Sequence, residues 1–266
     1  MPYYRSVFIS DLHLGSPWCQ VEELLGFLSS VQCDHLYLVG DVFDGCRPAR
    51  GRKWPRGQMR VLKMLRTLSQ SIEVTYVTGN HDEFMRREHR LRRLFERTLP
   101  DIRLCDSAVH RFGDGRKYLV IHGDKYDPAL RVPLLGRIGT WLYVHLRSLA
   151  ERFPMTFRGL GLASETLESA LMHWQDDLTR LWGDPESKMM RDVARQGYDG
   201  VICGHTHLAA LRRSHGLVYA NCGYWTGPSH AVVEQPDGRP ALLPWSDSWA
   251  PSAATATATQ PQGVRS

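Results

Sequence analysis

Apolar and polar positions along the chain follow two alternating rhythms. Five short runs, SVFIS (6–10), LYLVG (36–40), VTYVT (74–78), YLVIH (118–122) and GVICG (200–204), are rich in Val, Ile, Leu and Tyr. Runs this short and this continuously apolar predict strands buried on both faces. Between the first three lie VEELLGFLSSV (21–31) and MRVLKMLRTLS (59–69), whose apolar residues recur at helical spacing. Alternating strand and helix predicts an α/β protein whose first part is a largely parallel sheet. Over 128–197 the pattern turns helical: 134–153, 165–182 and 185–197, with Pro185 suited to the first turn of the last. This block falls between two predicted strands and reads as a helical insertion or cap. Two further strand candidates follow, LVYANC (217–222) and HAVVE (230–234). The folded domain is expected over 1–249. The remainder, 250–266, is mostly Ala, Thr, Ser, Pro and Gln without an aromatic residue, and is expected to be disordered.

Composition agrees with a globular reading: 266 residues, 42% hydrophobic and 23% charged. No apolar run approaches the ~20 residues that cross a bilayer. The N-terminus enters patterned structure at once, without the features of an export signal, so a cytoplasmic protein is expected. The six cysteines, Cys19, Cys33, Cys46, Cys105, Cys203 and Cys222, form no C-x-x-C pair and are expected to be reduced thiols. The net charge of +5 is uneven. Residues 86–97, RREHRLRRLFER, read either as a solvated amphipathic helix or as a basic face for anionic lipid or a phosphorylated substrate.

Polar chemistry gathers where the five apolar runs end. Asp11 and His13 follow the first, Asp41 and Asp44 the second, and Asn80, His81 and Asp82 the third. His122 closes the fourth, and His205 and His207 follow the fifth. In open α/β sheets ligands bind at the carboxyl ends of strands, so groups distant in sequence can converge there. Each motif alone is an ordinary turn. Five in order, each after a buried-strand pattern, is not. Carboxylate, imidazole and amide together suit a pair of divalent cations, which clamp a phosphoryl group and activate water. Gly40, Gly79, Gly123 and Gly204 adjoin these residues and are expected to let the backbone turn sharply.

The series DLH, GDVFD, GNHD, HGD and GHTH resembles the five motifs of the calcineurin-like metallophosphoesterases, spanning residues 11–207. The resemblance implies a four-layer α/β/β/α sandwich with a dinuclear centre. It assigns Asp11, His13, Asp41 and His207 to one metal. Asp41, Asn80, His122 and His205 go to the other, with Asp41 bridging. His81 would contact the scissile phosphate and assist the leaving oxygen, and Asp44 would orient it, a carboxylate neighbour favouring the protonated imidazole.

The stretches YLVGDVFDG (37–45), YLVIHGDKYD (118–127) and YANCGYW (219–225) are similar to the UDP-2,3-diacylglucosamine pyrophosphohydrolases of lipid A synthesis. That likeness implies a lipid-linked nucleotide sugar as substrate and a location peripheral to the inner membrane. It also implies an insertion that accepts acyl chains, for which Leu134, Leu135, Ile138, Trp141, Leu142, Leu146 and Phe153 offer a stripe; packing against the domain is the commoner use of such a stripe. Many of those enzymes carry Arg where this chain has His81, so another phosphodiester or phosphomonoester stays open as the substrate. Arg47, Arg50, Arg52 and Arg56 follow the second motif and could reach distal phosphates or form a solvated loop. The ligand types admit Mn, Fe or Zn, with Mn the family's suggestion. A nucleic-acid substrate gains only weak support from the modest charge. A non-catalytic scaffold would have lost ligands, and none is missing. Oligomeric state is not legible.

Overall fold

A computed structural model describes residues 2–44, 56–127 and 184–245. Its first strand, β1 (Tyr3–Ile9), shows why the apolar runs lack a polar face. Val7 and Ile9 pack on one side and Phe8 on the other, as the two-residue period of a strand requires. Val7 and Ile9 meet α1 (Val21–Ser30) and α2 (Arg56–Ser69) through Leu24, Phe27, Val61 and Leu65. Phe8 joins a separate core with Tyr118, Val120, Ile202 and Val218. The division repeats in β6 (Lys117–Val120): Tyr118 and Val120 face that shared core, while Leu119 packs with Met189 and Val193 of α5 (Pro185–Arg195). The layers are therefore helices, sheet, sheet, helix, the α/β/β/α sandwich expected.

In the first sheet, β1, β2 (Gln32–Val39), β3 (Glu73–Val77) and β4 (Ile102–Cys105) run parallel. β10 (His230–Glu234) and β11 (Pro240–Pro244) extend it antiparallel beyond β1. The second sheet has β5 (Ala108–Arg111) and β8 (Ala210–Ser214) as antiparallel edges around parallel β6, β7 (Gly200–Cys203) and β9 (Leu217–Asn221). The five apolar runs are thus divided, three in one sheet and two in the other.

The Asp184 side chain caps α5 by accepting from the Ser187 N–H at 3.2 Å, and Pro185 takes the first turn. α5 is the described part of the stretch 128–197; residues 134–153 and 165–182, the tail 250–266 and Arg47, Arg50 and Arg52 lie outside the described residues. The basic stretch forms α3 (Glu83–Arg87) and α4 (His89–Thr98). It is not uniformly solvated. Arg86 bonds Thr78, Asp106 and Asp124, and Arg87 and Arg92 pair with Glu83 and Glu96. No described helix is long and apolar enough to cross a membrane. The five described cysteines are free thiols.

Candidate active site

The loops after β1 and β2 continue their strands as a hydrogen-bonded pair. Asp11 donates its N–H to Gly40 O (3.0 Å), His13 to Asp41 O (2.9 Å) and Leu14 to Val42 O (2.8 Å), while Asp44 donates back to Leu14 O (2.8 Å). The second sheet is tied in by the His205 N–H to Asp11 Oδ2 (3.1 Å) and the Trp225 N–H to Asp11 O (3.0 Å). Side chains from all five strand ends converge as a result. Ligand atoms of Asp11, His13 and His207 lie within 4.8 Å of one another, as do those of Asp41, His122 and His205, and those of His13, Asp41 and His81.

Each carboxylate divides its oxygens between scaffold and pocket. Asp11 Oδ2 accepts from the Ser10 hydroxyl and the His205 N–H, and Oδ1 faces His207 Nε2 at 3.1 Å and His13 Nε2 at 3.7 Å. Asp41 Oδ1 accepts from the His81 N–H at 2.8 Å, and Oδ2 faces His122 Nε2 at 3.2 Å. His122 Nδ1 donates to Val39 O at 2.9 Å, which turns Nε2 into the pocket. Beside them, His81 Nδ1 donates to Asp44 Oδ1 at 3.0 Å.

The donor set fits divalent cations. His13 Nε2 and Asn80 Oδ1 are buried with no hydrogen-bond partner among the described residues, and His122 Nε2 faces only the Asp41 carboxylate. An unsatisfied buried polar atom costs about 1–3 kcal/mol, and His13, Asn80 and His122 are all expected ligands. The field points the same way. Burial pushes the His122 imidazole down, but the Asp41 and Asp11 carboxylates outweigh it and raise it to about 10. Burial would push the Asp11 carboxyl up, yet the His122 and His207 imidazoles hold it well below the usual carboxylate range. The pocket therefore favours positive charge between its carboxylates.

The backbone is strained at the same positions. Asp11, His13, Asp41, His205 and His207 have φ between +47° and +70°, and His215 is the one other non-glycine residue like this among the described residues. Such conformations cost of order 1–3 kcal/mol each and persist where the surroundings dictate them. Of the neighbouring glycines, Gly40 and Gly123 have positive φ. Gly79 and Gly204 do not turn this way and instead leave room: a Cβ would overlap Asp41 at the first, and Ser10 and Asp11 at the second. Gly40 carries both constraints, with φ +87° and the His122 ring where a Cβ would sit. Gly40→Ala is expected to destabilise the fold by about 1–3 kcal/mol from overpacking and about 1–2 kcal/mol from the left-handed backbone, read as a lower midpoint in urea.

Several residues had no assigned role in the sequence reading. Buried Asp82 accepts from the N–H groups of Val42 (3.2 Å), Phe43 (3.0 Å) and Gly79 (3.1 Å), fastening the second motif to the third. Burial, then the Asp41 charge, raises its carboxyl to about 6. Asn221 donates to Gly204 O (2.8 Å) and Thr206 Oγ1 (3.0 Å), clamping the residues beside His205 and His207, and Tyr224 stacks on His207 with centroids 4.9 Å apart. Asp127 bonds His205 Nε2. Their only signal was position inside the motif stretches GNHD, YANCGYW and HGDKYD.

The family model described as calcineurin-like phosphoesterase matches residues 4–209, a span containing all five motif loops. The chain belongs to the calcineurin-like phosphoesterase family. As a calcineurin-like phosphoesterase it is a phosphoester hydrolase, and the family uses divalent metals. It is 27% identical over 246 residues to "UDP-2,3-diacylglucosamine hydrolase" of Neisseria gonorrhoeae, covering 90% of this chain and 96% of that protein. A protein of the same name from Stenotrophomonas maltophilia is 29% identical over 231 residues, covering 77% and 83%. Among solved structures, an archaeal phosphodiesterase is similar at TM-score 0.46 and 12% identity, over 90% of this chain and 98% of that one.

Proposed function

We propose that this calcineurin-like phosphoesterase hydrolyses the pyrophosphate of UDP-2,3-diacylglucosamine, giving 2,3-diacylglucosamine 1-phosphate and UMP. The observation that carries the substrate is the reach of the likeness. The gonococcal UDP-2,3-diacylglucosamine hydrolase aligns over 246 residues, more than the family match spans, and over nearly the whole of its own length. In this reading Asp11, His13, Asp41 and His207 hold one divalent ion, and Asp41, Asn80, His122 and His205 the other. The unpartnered atoms of His13 and Asn80, and the close group of Asp41, His122 and His205, support that assignment. When bound, the ions supply Lewis acidity toward the phosphoryl oxygens and activation of water. Mn is the expected metal, and the same donors accommodate Fe or Zn.

The chain's own residues do the rest. Asp44 holds the Nδ1–H of His81, which turns Nε2 toward the pocket, 4.0 Å from Asp41 Oδ2. Nε2 then delivers a proton to the leaving oxygen as the P–O bond breaks, and water supplies the hydroxyl to phosphorus. Arg47, Arg50 and Arg52 would meet the distal phosphate. His81 itself favours a second reading, hydrolysis of a different phosphodiester or phosphomonoester, because GNHD is the general form of the motif.

The test is UMP release from UDP-2,3-diacylglucosamine by the Mn-loaded protein, beside bis(p-nitrophenyl) phosphate. The expected result is turnover of the lipid far above that of the generic diester. Turnover of the diester with no UMP from the lipid would reject the substrate and leave the hydrolase.

A further inference from the structure

We infer that Asp127 is a positioning residue for His205, presenting that imidazole to the metal assigned to Asp41, Asn80 and His122. The inference rests on the reading of His205 as a ligand. His205 Nε2 lies 2.8 Å from Asp127 Oδ2, and both side chains are nearly buried, 13% and 11% exposed. A carboxylate only accepts, so Nε2 carries the hydrogen and the lone pair is on Nδ1. Nδ1 is therefore the nitrogen left to offer a metal, and His205 forms one close group with Asp41 and His122.

The two imidazoles of that group are oriented by different means. His122 is held through Nδ1 by a backbone carbonyl, Val39 O at 2.9 Å, which no substitution removes. His205 depends on a side chain. Its main chain is pinned by the N–H bond to Asp11 Oδ2 at 3.1 Å, with φ at +70°. That bond fixes where the ring begins and leaves its rotation open. Asp127 supplies the second point. It follows the short 3₁₀ turn Asp124–Tyr126, where Tyr126 donates to Gly123 O (3.0 Å) and Asp127 to Asp124 O (3.0 Å). One turn of chain thus spaces His122 from the residue that aims His205. A carboxylate behind an imidazole also makes it a more basic ligand and adds negative charge that a cation favours.

Mn²⁺ titration of the full chain, followed by the electron paramagnetic resonance of the free ion, tests this on wild type, Asp127→Ala, Asp127→Asn and His205→Ala. Wild type is expected to take up two ions. Asp127→Ala should weaken one site about 10–100-fold and leave the other at wild-type affinity. Asp127→Asn keeps the volume and an accepting oxygen but loses the charge, so it should weaken the same site less; it carries the test if the alanine variant does not fold. Unchanged binding at both sites in the Asp127 variants overturns the proposal. So does parallel weakening of both sites, which is what a general folding role would give. His205→Ala separates the proposal from the reading beneath it. If that variant binds two ions as tightly as wild type, His205 is no ligand and both fail. If it loses one site that the Asp127 variants leave untouched, only the role of Asp127 fails.

Discussion

His81→Asn is expected to lower kcat by about 10²–10⁴-fold, the range a positioned general acid contributes, while bound metal stays at the wild-type level. The geometry makes the substitution informative. His81 Nδ1 is committed to Asp44 Oδ1 at 3.0 Å, so a proton for the leaving oxygen must come from Nε2. Asparagine can keep a polar contact to Asp44 but has no proton to give at neutral pH. His81 also forms one close group with His13 and Asp41, which admits a rival role as a metal ligand. The two roles separate cleanly. A ligand's loss lowers metal content, measured by mass spectrometry of the purified protein, whereas an acid's loss does not. Leaving-group dependence adds a second criterion. If His81 protonates the leaving oxygen, the deficit should shrink for nitrophenyl esters, whose leaving group departs without a proton. Near-wild-type turnover on the pyrophosphate substrate would remove the role altogether.

The central strands were legible because strands buried on both faces need no polar positions, whereas the four layers were implied only by the family resemblance. Val7 and Ile9 serve the helix layer and Phe8 the shared core, and the sequence shows only a continuous apolar run. For the same reason nothing local tells which sheet a run enters, and the split of the five runs between two sheets could not be read. The strands that escaped detection are short or lie on edges. β4 carries Arg103, and β8 carries Arg212 and Arg213 where solvent covers one side. β11 is framed by Pro240 and Pro244, tolerable only on an edge. Arg86 looked like part of a solvated basic face because its acceptors, Asp106 and Asp124, are brought to it by the fold. The strand-end residues were legible as a group because strand order and polar endings are both written locally. Their supports were not. The Asp127–His205 contact spans 78 residues and the Asn221 clamp 17, and no periodicity records either.

Asp41→Asn is expected to lower turnover beyond the ~10⁴-fold limit of a lost general acid and to reduce bound metal in both groups at once. Asp41 is the one residue assigned to both ions, and its backbone sits at φ +51°. Asparagine tolerates that conformation as aspartate does, so the variant should fold. Its Oδ1 can still accept the His81 N–H, now 2.8 Å from Asp41 Oδ1. What changes is the other arm: an NH₂ replaces the oxygen that faces His122 Nε2 at 3.2 Å, and an amide nitrogen neither bridges cations nor carries charge. The metal-stripped protein gives an independent reading. Burial lowers the His122 imidazole, but Asp41 first and Asp11 second raise it from 6.5 to about 10. A group raised on folding lends stability that is fully present below its unfolded value and is lost as pH climbs through its folded one. In chelator, wild type should therefore lose stability between pH 6.5 and about 10, and Asp41→Asn should lose less, since the largest support for the charge is gone and Asp11 and Asp124 remain. Denaturant melts across that range check the sign. Equal slopes in the two proteins would show that Asp41 does not carry the field of the pocket, and full metal retention would deny it the shared position.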